Sequence, residues 1–555
     1  MSKRNNNPML PCWEKPLLLL ASGLWVLALL LAGLAPARAD ALADALNPLP
    51  TVAMADMEQA IGKLAQVQDP RVGGVLKALL EARLFYVKES KRVVFADPKD
   101  DGFKLTDALT GEALGEVGRF DVKKIPITNA LRTVLNSAIA KLELTAPDAK
   151  QRLKAVESII QNPNPEALAL LTKQVGQEPD NTVREAIQVA LSLADLSGSD
   201  KTLRVQAIHA LEGNLNQEVR NRLTALQEKT ETGDFIEPDS DIRNLAAVAL
   251  KKIQLKLEMN RLGEMLFFGL SLGAVLVLAA IGLAITFGVM GVINMAHGEL
   301  MMIGAYTTYV VQLLMPNAID YSLFVAIPAA FVITALVGIG IERGIIRFLY
   351  GRPLETLLAT FGLSLVLQQL VRSIFSPLNR SVSTPSWMSG SLEINSALSL
   401  TLNRFYIILF SLLVFWGLLM ILKKTRLGLE VRAVAQNRAM AKAMGIRTDW
   451  VDAMTFGLGS GIAGVAGVAL SQLTNVGPNL GQAYIVDSFM VVVFGGVGNL
   501  WGTLVGGLTL GVADKILEPY VGTVLAKILM LIFIILFIQK RPRGLFPQKG
   551  RAAEG

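Results

Sequence analysis

The stretch that decides the fold is Gly288-Val-Met-Gly-Val-Ile-Asn-Met-Ala-His-Gly-Glu-Leu-Met-Met-Ile-Gly-Ala-Tyr306. It places His297 and Glu299 between two long apolar runs. Ionisable side chains at membrane depth are costly, and where they occur they usually serve a polar pathway. The stretch therefore predicts a membrane-embedded protein with a functional site among its helices.

Apolar runs fill the chain beyond Leu262. Seven of them are long enough to cross about 30 Å of hydrocarbon, and they are 264–288, 296–315, 322–341, 354–375, 405–422, 450–473 and 521–538. A further run, 484–513, is too long for one untilted span and is interrupted by Gly495, Gly496, Gly498 and Asn499. Helices broken in this way often frame a transported solute.

Basic residues predict the orientation of these runs. The segments 342–352, 423–447 and 540–551 hold three, seven and five Lys or Arg residues, whereas the opposing loops hold only Arg380 and Lys515. Basic loops stay in the cytoplasm. The run 484–513 must then enter and return, as two spans or as a re-entrant hairpin, which gives nine or seven spans. The net charge of +7 lies in these clusters and forms no basic face for nucleic acid.

The N-terminus has the pattern of a secretory signal peptide over residues 1–39. Lys3, Arg4 and Lys15 precede an apolar core at 17–34, and Ala37-Arg-Ala39 is a small-x-small cleavage site. An uncleaved anchor is the alternative. Either reading exports the segment that follows. The single cysteine, Cys12, lies in this segment, so we expect neither a disulfide nor a cysteine-based metal site.

Residues 40–258 predict an extracytoplasmic, mostly helical domain with HEAT-like repeats. An arginine is followed by small or apolar residues three, six and seven positions later, on one helix face. The copies begin at Arg152, Arg204 and Arg243, with looser ones at Arg184 and Arg220. Ahead of them, 83–88 and 91–95 predict a short β-hairpin, with turn residues at 97–98 and 100–102. We expect a structural domain, or alternatively a docking surface for an extracytoplasmic partner.

The basic segment 423–447 holds a second candidate site. Its middle, 431–444, has high helix propensity, and Gly445 is a natural stop. We expect one short helix whose small and soft face docks into another protein. A connector lying on the inner leaflet is the alternative. The candidate docking residues are Arg432, Ala435, Asn437, Ala439, Ala443, Gly445 and Ile446.

Three ordered motifs in residues 262–547 resemble the permease subunits of ABC importers in the branched-chain amino acid family. They are Val292-Ile-Asn-Met-Ala-His-Gly-Glu299, Arg432-Ala-Val-Ala-Gln-Asn437 with Gly445-Ile446, and Phe494-Gly-Gly-Val-Gly-Asn-Leu-Trp-Gly-Thr-Leu-Val-Gly-Gly507. The exported domain ahead of them is similar to that of the urea-transport branch of the family. The resemblance implies a sister permease subunit, two cytoplasmic ATPase subunits and an extracytoplasmic solute-binding protein as partners, beside membrane lipid.

The fold class expected is thus an all-α polytopic membrane protein of seven to nine spans, behind the exported domain. Its permease domain covers 259–547, and 548–555 form a cytoplasmic tail at the inner membrane. The chain has no phosphate-binding loop, so we expect no enzyme activity and no cofactor or metal of its own, with ATP used by partner subunits. The candidate residues of the substrate path are Asn294, His297, Glu299, Tyr306, Gln368, Gln369, Arg372, Asn475, Asp487 and Asn499.

The solute expected from the resemblance is urea or a similar small amide. Alternatives are branched-chain amino acids or short amides carried by the same machinery, and a passive urea or water channel. A scaffold that is merely anchored by its membrane part is a further alternative, although an anchor needs only one apolar helix.

Overall fold

The computed structural model describes residues 41–53, 56–67, 69–99 and 102–546. The chain divides into two compact units, with the boundary between Ile253 and Gln254. The predicted signal peptide and the tail at 548–555 lie outside the described residues.

The first unit begins with three helices and a small sheet. The helices are α1 (Ala41–Leu46), α2 (Met57–Gln66) and α3 (Val72–Leu80). The strands are β1 (Leu84–Val87), β2 (Val93–Lys99), β3 (Gly102–Asp107), β4 (Ala113–Gly118) and β5 (Val122–Lys124). They form an antiparallel sheet in the order β4-β3-β2-β1-β5.

The predicted hairpin is confirmed as the β1–β2 pair, in which Leu84 lies opposite Phe95. The sheet is larger than the hairpin, because β3, β4 and β5 extend it on both sides. The turn expected at Asp97 and Pro98 is wrong: both residues lie in β2 and face Lys104 and Phe103 of β3. Alternating burial along β1 explains why only this part of the sheet was visible as a pattern.

Six helices follow in the first unit. They are α4 (Asn129–Leu144), α5 (Ala149–Gln161), α6 (Pro165–Gln174), α7 (Asn181–Leu196), α8 (Lys201–Leu211) and α9 (Gln217–Ala225). Helices α5 to α9 each begin after an Asp or Asn whose side chain accepts a hydrogen bond from a backbone N–H of the first turn. Such caps satisfy donors that the helix itself leaves free.

The repeated arginines join these helices to neighbouring loops. Arg152 donates to the Glu178 carboxylate at 2.8 Å and to the carbonyl oxygens of Ala146 and Pro147 at 2.9 Å. Arg204 pairs with Glu237 in the same manner. The repeat pattern therefore serves packing between successive helices within this unit.

Eight long helices lie wholly in the second unit among its described residues, and a ninth, α10, begins before the boundary at Ile253 and continues into it. They are α10 (Ser240–Met290), α11 (His297–Leu314), α12 (Ile319–Gly344), α13 (Pro353–Phe375), α14 (Leu402–Lys424), α17 (Thr448–Ser471), α18 (Leu480–Gly495), α19 (Leu500–Val521) and α20 (Thr523–Lys540). Two short helices, α15 (Arg426–Gln436) and α16 (Arg438–Ala443), two 3₁₀ helices at Ile346–Leu349 and Ser386–Met388, and a hairpin of β6 (Ser391–Asn395) and β7 (Leu398–Thr401) complete its described elements.

Seven of the long helices have the length and composition needed to cross a membrane: α10, α12, α13, α14, α17, α19 and α20. The protein is thus a polytopic membrane protein. Its helices differ sharply in burial, because 89% of the apolar window of α17 is buried but only 28% of that of α13. A central helix such as α17 packs on protein all around, and the outer helices leave an apolar face for lipid or a partner subunit.

Helix α11 crosses α17 at very close range. A Cβ atom at Gly304 would lie 2.1 Å from the carbonyl oxygen of Gly464, far inside van der Waals contact. Only glycine permits this approach of two backbones, as in other closely packed membrane helices. The contact holds α11, which carries His297 and Glu299, against the most buried helix of the unit.

The long run at 484–513 is broken in its middle, as the sequence predicts. Gly496 has a φ of +104° and ends α18, and the Asn499 side chain accepts hydrogen bonds from Trp501 and Gly502 at the start of α19. The segment after α20 reaches the same turn, since the Leu545 amide donates to the Phe494 carbonyl at 2.8 Å. The turn and the C-terminal segment thus lie at one end of the helix bundle, and the path of the run through the membrane stays a prediction.

Candidate functional site

A stripe of polar side chains runs along the buried side of α13. Thr356, Thr360, Ser364 and Gln368 are each less than 5% exposed, and their spacing of four places them on one helix face. The opposite face exposes large apolar side chains such as Leu358 and Val366. From Thr356 to Gln368 the stripe extends about 18 Å along the helix, more than half of a bilayer core.

Glu299 of α11 meets the middle of this stripe. Its Oε1 accepts hydrogen bonds from Ser364 Oγ and Gln368 Nε2, both at 2.8 Å. The residue is 1% exposed, and its Oε2 has no hydrogen-bond partner in the described part of the chain. Gly481 lies against the carboxylate, because a Cβ there would be 2.7 Å from Oε2.

His297 faces a different helix. Its Nε2 lies 2.9 Å from the carbonyl oxygen of Ala279 in α10, and the ring is fully buried. Positions two apart on a helix point in different directions, so His297 and Glu299 form no pair although the sequence sets them side by side. The Nδ1 atom of His297 has no partner among the residues described.

The loop before α11 contacts the polar stripe of α13 at Thr360. The Met295 amide donates to Thr360 Oγ1 at 3.2 Å. Asn294 is 1% exposed, and its Oδ1 accepts from the Ala296 amide at 3.0 Å. Its Nδ2 has no partner within the described ranges. The motif around Asn294 thus lies against α13.

Near the other end of the stripe, Arg372 donates to Asn479 Oδ1 at 2.7 Å. Asn475, which the sequence predicts for the substrate path, is exposed in the loop before α18. Asn479 makes the contact with Arg372 instead, and it is not among the site residues that the sequence predicts. Gln369 is exposed beside the buried Gln368.

Tyr306 is buried two turns along α11 and stacks on Phe375, with ring centroids 4.7 Å apart. Its hydroxyl has no partner in the part of the chain that the structure describes. We define the polar seam as the buried set that joins α11 and α13, namely Asn294, Glu299, Thr356, Thr360, Ser364 and Gln368. Nearly every buried polar atom in a protein has a partner, so the free atoms of Asn294 and Glu299 leave the seam with unused hydrogen-bonding capacity.

Two further candidates lie outside the polar seam. Asp487 of α18 pairs with Lys527 of α20 at 3.0 Å and lines a cavity of about 190 Å³ that Asp514 and Glu518 also face. Asn499 caps α19, and its Nδ2 donates to the Phe546 carbonyl at 3.1 Å. The structure brings together no three His, Cys, Asp or Glu side chains, within its described ranges, that could hold a metal.

The expected single helix over 431–444 is wrong, because Asn437 breaks it. Asn437 has extended backbone angles, and its side chain accepts a hydrogen bond from the Met440 amide at 2.9 Å. It therefore ends α15 and caps α16. Asparagine side chains compete with the helical backbone in this way, and helix propensity summed over the segment hides the effect.

The stop at Gly445 is confirmed. Gly445 has a φ of +85°, and the Ile446 amide donates to the Ala441 carbonyl at 3.1 Å, which closes a Schellman motif. The break at Asn437 also separates the predicted alanine face. Ala435 is half-buried on α15, whereas Ala439 and Ala443 are exposed on α16.

Helix α16 presents an apolar surface that the second unit itself leaves open. Met440 on the helix is 60% exposed, Met444 just after it 76%, and Trp450 at the start of α17 55%. We call these three residues, with the exposed Ala439 and Ala443, the α16 surface. The base of the helix is fixed, since Arg438 pairs with the buried Asp452 and its guanidinium lies 4.5 Å from the Tyr350 ring centroid. Arg432 is directed instead to the Leu422 carbonyl at the end of α14. Flexible methionines on a firmly held helix suit protein docking.

A bundle of apolar helices around a buried polar seam, with a short amphipathic segment at one end, is the architecture of a multi-pass membrane transport protein. The model of the family "Branched-chain amino acid transport system / permease component" matches residues 265–538. The chain belongs to this family of ABC-type permease components. No solved structure is significantly similar to it.

Several curated proteins resemble the second unit. The high-affinity branched-chain amino acid transport permease protein LivH of Salmonella typhimurium is 34% identical over 293 residues, which is 51% of this chain and 94% of that protein. BraD of Pseudomonas aeruginosa is 30% identical, with 51% and 94% covered. A probable LivH of Methanocaldococcus jannaschii is 26% identical, with 52% and 95% covered. About half of this chain thus lies outside each similarity.

Proposed function

We propose that this chain is the permease subunit of an ATP-driven importer and that its solute is urea or a similar small amide. The observation that carries the proposal is the polar seam. It offers one carboxylate, carboxamides and hydroxyls at membrane depth, and free polar atoms remain on Glu299 and Asn294. Urea both donates and accepts hydrogen bonds, as these groups do.

Branched-chain amino acids are the second candidate. The names of the LivH and BraD relatives favour them. Against them stands the close packing of the seam, where Gly298 and Gly481 bring α11 and α18 to backbone contact. The LivH and BraD relatives cover only 51% of this chain, and the family model matches residues 265–538. The additional first unit favours a separate branch of the family.

We further propose an orientation and a route for the driving energy. The basic segments at 342–352, 423–447 and 540–551 face the cytoplasm, and the first unit lies outside. An ATPase subunit docks on the α16 surface, a second ATPase serves the sister permease, and a solute-binding protein delivers solute from outside. Solute and nucleotide then favour different facing states of the membrane part.

Uptake by the assembled transporter tests the solute. Cells that lack other uptake systems express this chain with its partner subunits, and the accumulation of radiolabelled urea, acetamide and leucine is compared. We expect urea or acetamide to accumulate and leucine not to compete. Accumulation of leucine alone would support the second candidate.

A matched assembly with an inactive ATPase tests the energy source. Urea uptake should fall to the level of cells without the transporter. Uptake that persists in this assembly would instead establish a passive channel.

A further inference from the structure

A cavity of about 590 Å³ opens at the end of the membrane unit where α14 meets α15. We call it the basic groove. Its lining is mostly aliphatic, with Ile285, Leu419 and Val431 on the wall, and Lys423, Arg432 and Trp501 also line it.

Two basic side chains line this groove. Lys423 is exposed at the C-terminal end of α14, and Arg432 is exposed on α15 with one N–H directed to the Leu422 carbonyl. Neither side chain forms an ion pair with a carboxylate of the described residues. A positive charge beside an aliphatic cavity is thus left without a counter-charge from this part of the chain.

Trp501 indicates the level at which the basic groove lies in the membrane. Its indole is 52% exposed, and one edge packs on Phe415 with ring centroids 5.4 Å apart. Tryptophan is enriched where hydrocarbon meets the headgroup layer. The groove therefore lies at the boundary between the apolar helices and a basic edge, which is the level of lipid phosphates.

We propose that the basic groove binds one anionic glycerophospholipid, with its phosphate at Lys423 and Arg432 and an acyl chain along the aliphatic lining. Charge complementarity and the depth of Trp501 both favour this occupant, since basic pockets between membrane helices bind anionic headgroups. A small neutral solute would gain nothing from the two cations and would leave the aliphatic wall in contact with water.

The lipid would touch the segment that leads to the α16 surface. Arg432 and Ala435 line the groove, and α16 begins just after Asn437. A lipid in the basic groove thus fills the space next to α15. The position of α15 then depends on the headgroup composition of the surrounding leaflet.

Lipid retention by the full-length protein is the direct test. The protein is purified in detergent with equal amounts of phosphatidylglycerol and phosphatidylcholine, and the retained lipid is measured by native mass spectrometry. The test variant is the double substitution Lys423→Gln with Arg432→Gln. Each basic side chain at an anionic headgroup accounts for about a five-fold factor in affinity, so we expect phosphatidylglycerol retention to fall by more than ten-fold.

Lys540→Gln is the matched control, because Lys540 is an exposed basic residue at the end of α20 that does not line the groove. It should retain phosphatidylglycerol as the wild type does. Equal retention of both lipids by the wild type, or unchanged retention in the double variant, would overturn the proposal.

Fluorescence quenching gives a second measurement on the same groove. Phosphatidylglycerol with brominated acyl chains should quench part of the tryptophan emission, and Trp501→Phe should abolish that part. The quenching should exceed that by brominated phosphatidylcholine several-fold in the wild type and lose this preference in the double variant. Quenching that ignores the headgroup would show ordinary bilayer contact and contradict the proposal.

Discussion

The Nε2 atom of Gln368 lies 2.8 Å from Oε1 of Glu299, so that a carboxamide of α13 donates to a carboxylate of α11 in the interior of the membrane unit. The next residue on the same helix, Gln369, is exposed. Two adjacent carboxamides thus differ in their surroundings: that of Gln368 is buried, and that of Gln369 is exposed.

Gln368→Ala should lower both stability and uptake. The substitution removes one of the two hydrogen bonds that Oε1 of Glu299 accepts, and such a hydrogen bond contributes about 0.5–1.5 kcal/mol. The melting temperature of the purified protein and the uptake rate measure the effect. Gln369→Ala is the control and should resemble the wild type. Equal effects of both substitutions would contradict the hydrogen bond from Gln368 to Glu299.

Glu299→Gln separates charge from structure. The glutamine keeps an oxygen that can accept from Ser364 and Gln368, so we expect an unchanged melting temperature and normal membrane insertion. If the carboxylate serves solute passage, uptake should fall at least ten-fold, which corresponds to about 1.4 kcal/mol in the transport barrier. A variant that transports normally would restrict Glu299 to a packing role.

Gly304→Ala should destabilise the membrane unit through α11 and α17. The added methyl group would sit 2.1 Å from the Gly464 carbonyl oxygen, and overpacking of this kind costs about 1–3 kcal/mol. Gly362→Ala on α13 is the control, since a methyl group there meets nothing within 4 Å. Thermal unfolding in detergent should separate the two variants, and equal stability would refute the close crossing.

Ala439→Asp should abolish uptake because an ATPase subunit can no longer dock. The residue is exposed on α16 beside Met440, and a carboxylate there would be buried without a partner when an ATPase docks. We expect normal insertion, loss of the ATPase from the purified assembly, and loss of uptake. Gln436→Glu, which adds an acidic group on α15 before the break, should keep the assembly. An intact assembly with Ala439→Asp would argue against α16 as the docking surface.

Arg204→Gln should change how the first unit responds to acid. The hydrogen bond from Arg204 holds the pKa of the Glu237 carboxyl below its usual value. A carboxyl with a lowered pKa stabilises the fold above its unfolded pKa, near 4.3, and this stabilisation is lost as pH falls through the folded pKa.

In the wild type, protection of α8 amides from hydrogen exchange should therefore weaken as pH falls below about 4. The Arg204→Gln variant should be less protected already at pH 7, by on the order of 3 kcal/mol because one partner of a buried ion pair is removed. Arg222→Gln removes only an exposed pair with Glu218 and should change protection by about 0.5 kcal/mol or less. Identical pH profiles for Arg204→Gln and the wild type would contradict the role of this pair.

Sequence patterns predicted the helices of the membrane unit and the break near Gly496 because long apolar runs and glycine clusters are local signals. The five-stranded sheet was only partly visible, since β4 is almost wholly exposed and lacks the alternation that betrays a strand. The break at Asn437 was missed because the cap depends on one side chain and not on the average propensity around it.

The polar seam was only half visible in the sequence. Glu299 and Gln368 stand out in the sequence as polar residues within apolar runs, but Ser364 and Thr360 resemble the ordinary small residues of a membrane helix. Their spacing of four with Thr356 and Gln368 is a signal that a search for polar stripes would have found. Asn479 carries no such signal, because its contact with Arg372 joins residues 107 positions apart.

The close crossing at Gly304 and Gly464 limits which parts of the membrane unit can change place. Backbones that touch without intervening side chains interlock, so sliding α11 past α17 would force atoms through one another. Helix α13 packs on the interior along one edge, through its polar stripe and through Val371 and Phe375, and leaves most of its apolar window exposed. Any alternation between outward and inward openings is therefore expected to hinge on α13 rocking against a fixed centre.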